Sequence, residues 1–120
     1  ECTVEETTGE ELTPLAHSSS RRVFAVQTAE KLQELLAGVV AEGTGRQAAP
    51  SEETAAGKTG TAQTGQFRDG EEMKNYWFAG FYPAEKPRWT IVVMQDAQTE
   101  PEVSSAAVFA RLCDALSAGE

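Results

Sequence analysis

A chain of 120 residues with 40% hydrophobic composition is enough for one domain with a modest core, because small domains bury a smaller share of their surface than large ones. Ten basic against nineteen acidic residues give a formal net charge of -9, which repels a phosphate backbone and excludes nucleic acid as a partner. The longest apolar runs, Trp77–Phe81 and Ile91–Met94, fall far short of the roughly 20 residues needed to cross a bilayer. The segment is therefore expected to be soluble, whatever its parent is attached to. Glu1 is not a translation start and no charged-then-apolar leader follows it, so the expectation is a piece of something longer or a processed product.

In chain order, Thr3–Glu5 and Leu12–Leu15 flank the turn chemistry of Thr7-Thr8-Gly9-Glu10, which predicts a hairpin and loop over residues 1–22. The acidic cluster Glu5, Glu6, Glu10 and Glu11 is then a solvated face, and His17 beside Ser18 lacks a third group to orient it as a base. Over residues 26–42 the apolar Ala29, Leu32, Leu36, Val39 and Val40 recur at helical spacing, with Glu30, Lys31, Gln33 and Glu34 on the other side. Gly43 stands where a left-handed residue commonly ends a helix.

Three strands are expected across residues 55–96. The first is the least certain from pattern alone: Ala55–Gln63 is rich in small residues, and Thr64–Gly70 has the composition of a loop. Asn75–Tyr82 is nearly continuous in apolarity, and Arg88–Gln95 follows after the short Pro83–Pro87 turn, so these two strands must be antiparallel. Trp77, Phe78 and Trp89 fit a core better than a ligand-stacking platform. Over residues 101–117 Val103, Ala107, Phe109, Leu112, Cys113 and Leu116 predict a closing amphipathic helix. The fold class is thus α+β, a single domain whose antiparallel sheet has helices packed on it.

Cys2 and Cys113 lie near opposite ends with no second Cys or His at metal-ligand spacing. The residues call for no metal and no cofactor. Whether the two cysteines are paired depends on geometry and stays open here.

Chemistry concentrates in Gly57-Lys58-Thr59-Gly60-Thr61-Ala62-Gln63. A phosphate-binding loop would need a glycine five residues before Gly57, and Glu52 is there instead, where it would oppose a phosphate. Together with Trp77-Phe78-Ala79-Gly80-Phe81 and its proline-bounded turn, the heptad resembles the C-terminal part of the transpeptidase domain of penicillin-binding proteins. Val39-Val40 with Gly43-Thr44-Gly45 is similar to the helix end and loop that precede the strand in that family, and Ala106–Phe109 to its closing helix. Ala62-Gln63 leans towards the class B branch, which includes division and sporulation enzymes. One departure is Ala25, where the family often has a capping Ser or Thr.

The resemblance implies a fragment of the serine β-lactamase/penicillin-binding transpeptidase fold, on the extracytoplasmic face of a bacterial membrane and anchored by a segment outside this chain. It implies a peptidoglycan D,D-transpeptidase that cross-links stem peptides ending in D-Ala-D-Ala and is a target of β-lactam antibiotics. Lys58 is then the catalytic-site cation, and Thr59, Gly60 and Thr61 bind substrate, with the N–H of Thr61 as one of two oxyanion donors. In a strand, Lys58 and Gly60 face one side and Thr59 and Thr61 the other, so a ligand using all of them would lie along the strand edge.

The nucleophile is missing. None of Ser18, Ser19, Ser20, Ser51, Ser104, Ser105 and Ser117 is followed three residues on by lysine, and Asn75, the one asparagine, has Met73 two residues before it. Neither Ser-x-x-Lys nor Ser-x-Asn is present. The expectation is an inactive portion of an enzyme, partnered by the N-terminal part of the same domain and prone to self-association without it. A non-catalytic binding or sensory module is the alternative.

Overall fold

The computed structural model describes residues 21–119 in full and, before them, the backbone of two short strands. These are β1 (Cys2–Val4) and β2 (Glu11–Pro14), which pair antiparallel in a sheet of their own with Thr3 opposite Thr13. Glu5, Glu6, Glu10, His17 and Ser18–Ser20 lie outside the described residues, as do the side chains of the two strands.

Helix α1 (Val26–Ala41) starts from Ala25, which caps with its backbone carbonyl but has no side-chain cap. Its apolar stripe is used only near its C-terminal end: Val40 is buried, whereas Leu32 and Leu35 are exposed. Gly43 departs from the left-handed ending that the sequence suggested. The helix closes through Glu42, whose N–H bonds to the carbonyl of Gly38, and the N–H of Gly43 continues to the carbonyl of Val39 at 3.1 Å. Glycine is needed there for space, because a Cβ would lie 2.9 Å from the Val39 oxygen.

A 3-10 turn (Arg46–Ala48) leads to β3 (Ala56–Arg68), β4 (Glu71–Tyr82) and β5 (Trp89–Ala97), ordered β3-β4-β5 and antiparallel throughout. The region Thr64–Gly70, expected as a loop, is instead mostly strand. A shift of register between Gln63 and Phe67 absorbs Thr64, Gly65 and Gln66, and the carboxylate of Glu72 holds it by accepting from the N–H of Gly65 at 3.0 Å and from Gln63 at 2.8 Å. The reversal is then made by Asp69 and Gly70 alone, both at positive φ (54° and 84°), the two-residue Asp-Gly hairpin that matches strand twist.

Helix α2 (Ser105–Ala118) is capped by the Ser104 hydroxyl, which accepts from the N–H of Ala107 at 3.2 Å. It packs on one face of the sheet. Phe78 and Phe109, both fully buried, meet at 4.7 Å between ring centroids with a 55° tilt, a favoured aromatic geometry. Val40, Ala48, Ala55, Tyr82, Ala106 and Cys113 complete the core, with Ile91, Val93 and Trp89 packed against it. The Tyr82 hydroxyl, at the core margin, is paired with Ser117 at 2.6 Å. On the other face of the sheet, Trp77, Val92 and Met94 remain exposed.

Cys113 carries a free, fully buried thiol. Burial, with a smaller contribution from the neighbouring Asp114 charge, pushes its pKa from 9.0 up to about 11. A group that holds its proton more tightly when folded stabilises the fold below its unfolded pKa and loses that contribution as pH climbs through the folded value. The denaturation midpoint is therefore expected to fall between about pH 9 and 11, more steeply in the native protein than in Cys113→Ala; equal slopes would show that this thiol does not couple to folding.

Candidate functional site on the edge strand

The order of the sheet leaves β3 at an edge, with β4 on one side of it only. Its first residues are anchored: Ala56 and Gly57 are buried, and Gly57 lies against Phe78 so closely that a Cβ would come within 2.6 Å of the ring. The chain then emerges, so that Lys58, Gly60 and Thr61 are exposed and Thr59 is half-buried. Register places Thr59 opposite Phe78 and therefore on the helix-covered face, with Lys58 opposite Ala79 on the other.

Lys58 nevertheless meets Thr59. Its long stem carries the ammonium back to the strand, where Nζ donates to Thr59 Oγ1 at 2.8 Å, to the Thr59 carbonyl at 3.1 Å and to Thr44 Oγ1 at 3.3 Å. All three acceptors are neutral oxygens, and among the described residues no carboxylate pairs with Lys58. The one described ion pair is Lys31–Glu34, on α1. An unneutralised cation beside hydroxyl groups on an open strand edge is suited to an anionic ligand.

A shallow cleft of about 80 Å³ runs beside the strand, lined by Thr59, Gly60 and Thr61 and by Thr44, Trp77 and Ser104. Sequence reasoning had not picked out Thr44 or Ser104 as part of this region. Thr44 had a signal, a hydroxyl between two glycines just after a helix, whereas Ser104 lies 45 residues after Thr59 and only the packing of α2 brings it there. The three aromatic residues expected together in the core are divided. Phe78 is buried, Trp89 is half-buried and stacked on Tyr82 with the Arg88 guanidinium 4.2 Å above its ring, and Trp77 is 37% exposed on the other face of the sheet. Alternation along β4 explains the split, since Trp77 and Phe78 must face opposite sides. A cavity of about 690 Å³ lies between α1 and residues 49–55, away from Lys58 and Thr59–Thr61.

The described serines are all engaged. Ser51 bonds to the carboxylate of Asp114, Ser104 caps α2 and donates to Gln47, Ser105 donates to the Tyr76 carbonyl at 2.7 Å, and Ser117 pairs with Tyr82. None of these bonds is to a lysine or histidine, the partners that would activate a serine nucleophile.

Comparison with solved structures defines the class. The D,D-transpeptidase domain of a peptidoglycan glycosyltransferase from Eggerthella lenta superposes with a TM-score of 0.63 and 31% identity, covering 94% of this chain and 25% of that one. The transpeptidase domain of the FtsI4 D,D-transpeptidase from Legionella pneumophila gives 0.60 and 25% identity, over 77% of this chain and 36% of that one. A peptidoglycan synthetase from Bifidobacterium adolescentis shares the fold at 0.75 with 18% identity, over 94% of this chain and 21% of that one. The architecture is thus a portion of the penicillin-binding transpeptidase fold.

Sequence comparison makes the assignment specific. The penicillin binding protein transpeptidase domain family matches residues 4–114. Stage V sporulation protein D of Bacillus subtilis is 37% identical over 81 residues, and penicillin-binding protein PbpB of Mycolicibacterium smegmatis 40% over 90, covering 65% and 63% of this chain. The chain belongs to the penicillin-binding protein transpeptidase family, on its class B side. It spans 12% and 13% of the length of those two relatives.

The anchoring of β3 gives a sharp contrast between two glycines. Gly57→Ala must displace the Phe78 ring or the strand and is expected to cost about 1–3 kcal/mol, the range for overpacking a core. At Gly60 the nearest atom to a new Cβ is 3.6 Å away, ordinary contact, so Gly60→Ala should cost under about 1 kcal/mol. Denaturation midpoints of the two variants check this, and equal losses would contradict it.

Proposed function

We propose that this chain is the portion of a peptidoglycan D,D-transpeptidase that receives the carboxylate of the substrate and part of its oxyanion, while the nucleophilic serine comes from elsewhere in the same domain. The observation that carries the proposal is the Lys58 ammonium, 2.8 Å from the Thr59 hydroxyl on an exposed edge strand and, among the described residues, without a carboxylate partner. A stem peptide ending in D-Ala-D-Ala, or a β-lactam in its place, presents a carboxylate and a carbonyl to be attacked. Lys58 and the hydroxyls of Thr59 and Thr61 suit the carboxylate, as charge-assisted donors. The ligand lies along the open edge of β3 as an added strand, and Gly60 lets its backbone approach.

During attack, negative charge develops on the carbonyl oxygen, and the N–H of Thr61, on the open edge strand, is the donor we assign to it. A second donor, the N–H of the serine itself, completes the hole; each preorganised donor of this kind is worth on the order of 3 kcal/mol in the transition state. The serine attacks through a covalent acyl-enzyme, in which the peptide or lactam amide bond is broken and an ester bond to serine is formed. A chain with the anion-binding strand and no nucleophile binds weakly and does not react. The parent works on the outer face of the membrane, where the polymer it cross-links lies, with a role in wall synthesis of the kind that the names of the sporulation and penicillin-binding relatives suggest. The N-terminal part of the domain is its obligatory partner.

The isolated 12.9 kDa chain is expected to take no label from a fluorescent penicillin, while the longer native polypeptide that carries it takes a denaturation-resistant label. Lys58→Met in the longer polypeptide should slow that labelling by at least about tenfold, the loss of one charge-assisted bond. A labelled band at the mass of the isolated chain would show that the nucleophile is within these residues. A longer polypeptide that is folded and unlabelled would favour the non-catalytic binding module.

A further inference from the structure

Thr44 is fixed with unusual care for a loop residue. Its neighbours Gly43 and Gly45 both donate their N–H groups to the carbonyl of Val39, at 3.1 and 3.0 Å. Gly45 is packed against the Val39 side chain and the Phe78 ring, to which a Cβ would be 3.1 and 3.4 Å. The loop is thereby tied to the end of α1 and to the core, and Thr44 Oγ1 is delivered to within 3.3 Å of both Lys58 Nζ and Thr59 Oγ1. The three groups form a closed triangle whose remaining side is the 2.8 Å bond from Lys58 to Thr59.

Proton counting limits what the triangle can do, since either hydroxyl can donate to the other. An ammonium only donates, so Lys58 occupies one lone pair on Thr59 Oγ1 and one on Thr44 Oγ1. A hydroxyl has one proton and two lone pairs. If the Thr44 proton goes to Thr59, both lone pairs of Thr59 are filled and its own proton can only be given away. The cleft beside Thr59 is where that proton would go, and Thr44 lines the same cleft.

We infer that Thr44 is a positioning residue that turns the Thr59 hydroxyl into an obligatory donor and helps restrain the Lys58 ammonium at the strand, so that the hydroxyl donates to a carboxylate in the cleft and the positive charge attracts it. This rests on the proposed carboxylate-binding role of the strand and adds to it the residue that orients its donors. Thr44 need not touch the ligand. Without it, Thr59 keeps a free lone pair facing an incoming anion, and Lys58 keeps only its two bonds to Thr59 and loses the one that restrains it from the loop side.

The test uses the longer native polypeptide, with Thr44→Val, which keeps the shape and removes the hydroxyl, and Thr44→Ser, which keeps the hydroxyl. Acylation by a fluorescent penicillin is followed over a range of concentrations. Thr44→Val should raise the half-saturating concentration by about tenfold, with a smaller change in the limiting rate, and Thr44→Ser should stay within about twofold of the native protein. A purely structural role would lower the melting temperature and the active fraction alike in both variants and leave half-saturation unchanged, which would overturn the inference. If the native polypeptide takes no label, the proposed function fails; Thr44 is then decided by a crystal structure of Thr44→Val. Thr59 Oγ1 and Lys58 Nζ both unmoved in that structure would overturn the inference, and a changed rotamer of either would uphold it.

Discussion

The ring of Phe78 holds together everything that the site requires. On one side it meets Phe109 and so fixes α2 to the sheet. Gly57, at the start of the exposed part of β3, lies against its edge, and Gly45, beside Thr44, lies near its other edge. In β4 the same residue is the cross-strand neighbour of Thr59. One buried aromatic residue therefore sets the positions of Lys58 and Thr59 on the strand and of Thr44 in the loop 14 residues before Lys58. The two glycines have a physical reason to be glycines, because any Cβ at Gly57 would drive the strand and the ring apart.

From that anchor, β3 changes character within a few residues. Ala56 and Gly57 are core, and Lys58 to Thr61 form an open edge facing solvent. An edge strand ordinarily invites pairing with another chain; here the edge has a lysine and two threonines, which on the proposed function receive an anion-bearing peptide. Under the proposed function, the arrangement is half of an active site. It has cation, hydroxyl and N–H donors for the charges that a substrate has or develops, and its described serines are all bonded to structural partners. The exposed Trp77, Val92 and Met94 on the opposite face, and Leu32 and Leu35 on α1, are apolar surface of the kind that packs against further protein in a chain spanning so small a share of its relatives.

Much of this was legible in the residues. The two helices came from 3.6-residue periodicity, and the β4–β5 pair from dense apolarity broken by a proline turn. Gly57-Lys58-Thr59-Gly60-Thr61 was chemically conspicuous although its own strand could not be proved from pattern, because small and polar residues alternate there without a buried face to mark a period of two. The strand's length was underestimated for a similar reason. Thr64-Gly65-Gln66 has loop composition, and its place in β3 depends on Glu72 across the hairpin, a tertiary contact that no local reading contains. Asp69-Gly70 was the signal that should have extended both strands. The triangle of Lys58, Thr59 and Thr44 was not legible, since alternation put Lys58 and Thr59 on opposite faces and only a flexible four-carbon stem brings the ammonium round the edge. Gly43 was read by a common helix-ending rule, yet the structure uses its lack of a side chain rather than its freedom at positive φ.

The most direct measurement is a crystal structure of the longer native polypeptide acylated by a β-lactam. The expected result is an electron density feature along the open edge of β3, with the ligand carboxylate about 2.7–3.2 Å from the hydroxyls of Thr59 and Thr61, Lys58 beside them, and the acyl oxygen at the N–H of Thr61. A ligand seated in the cavity between α1 and residues 49–55, with the edge of β3 left bare, would contradict it.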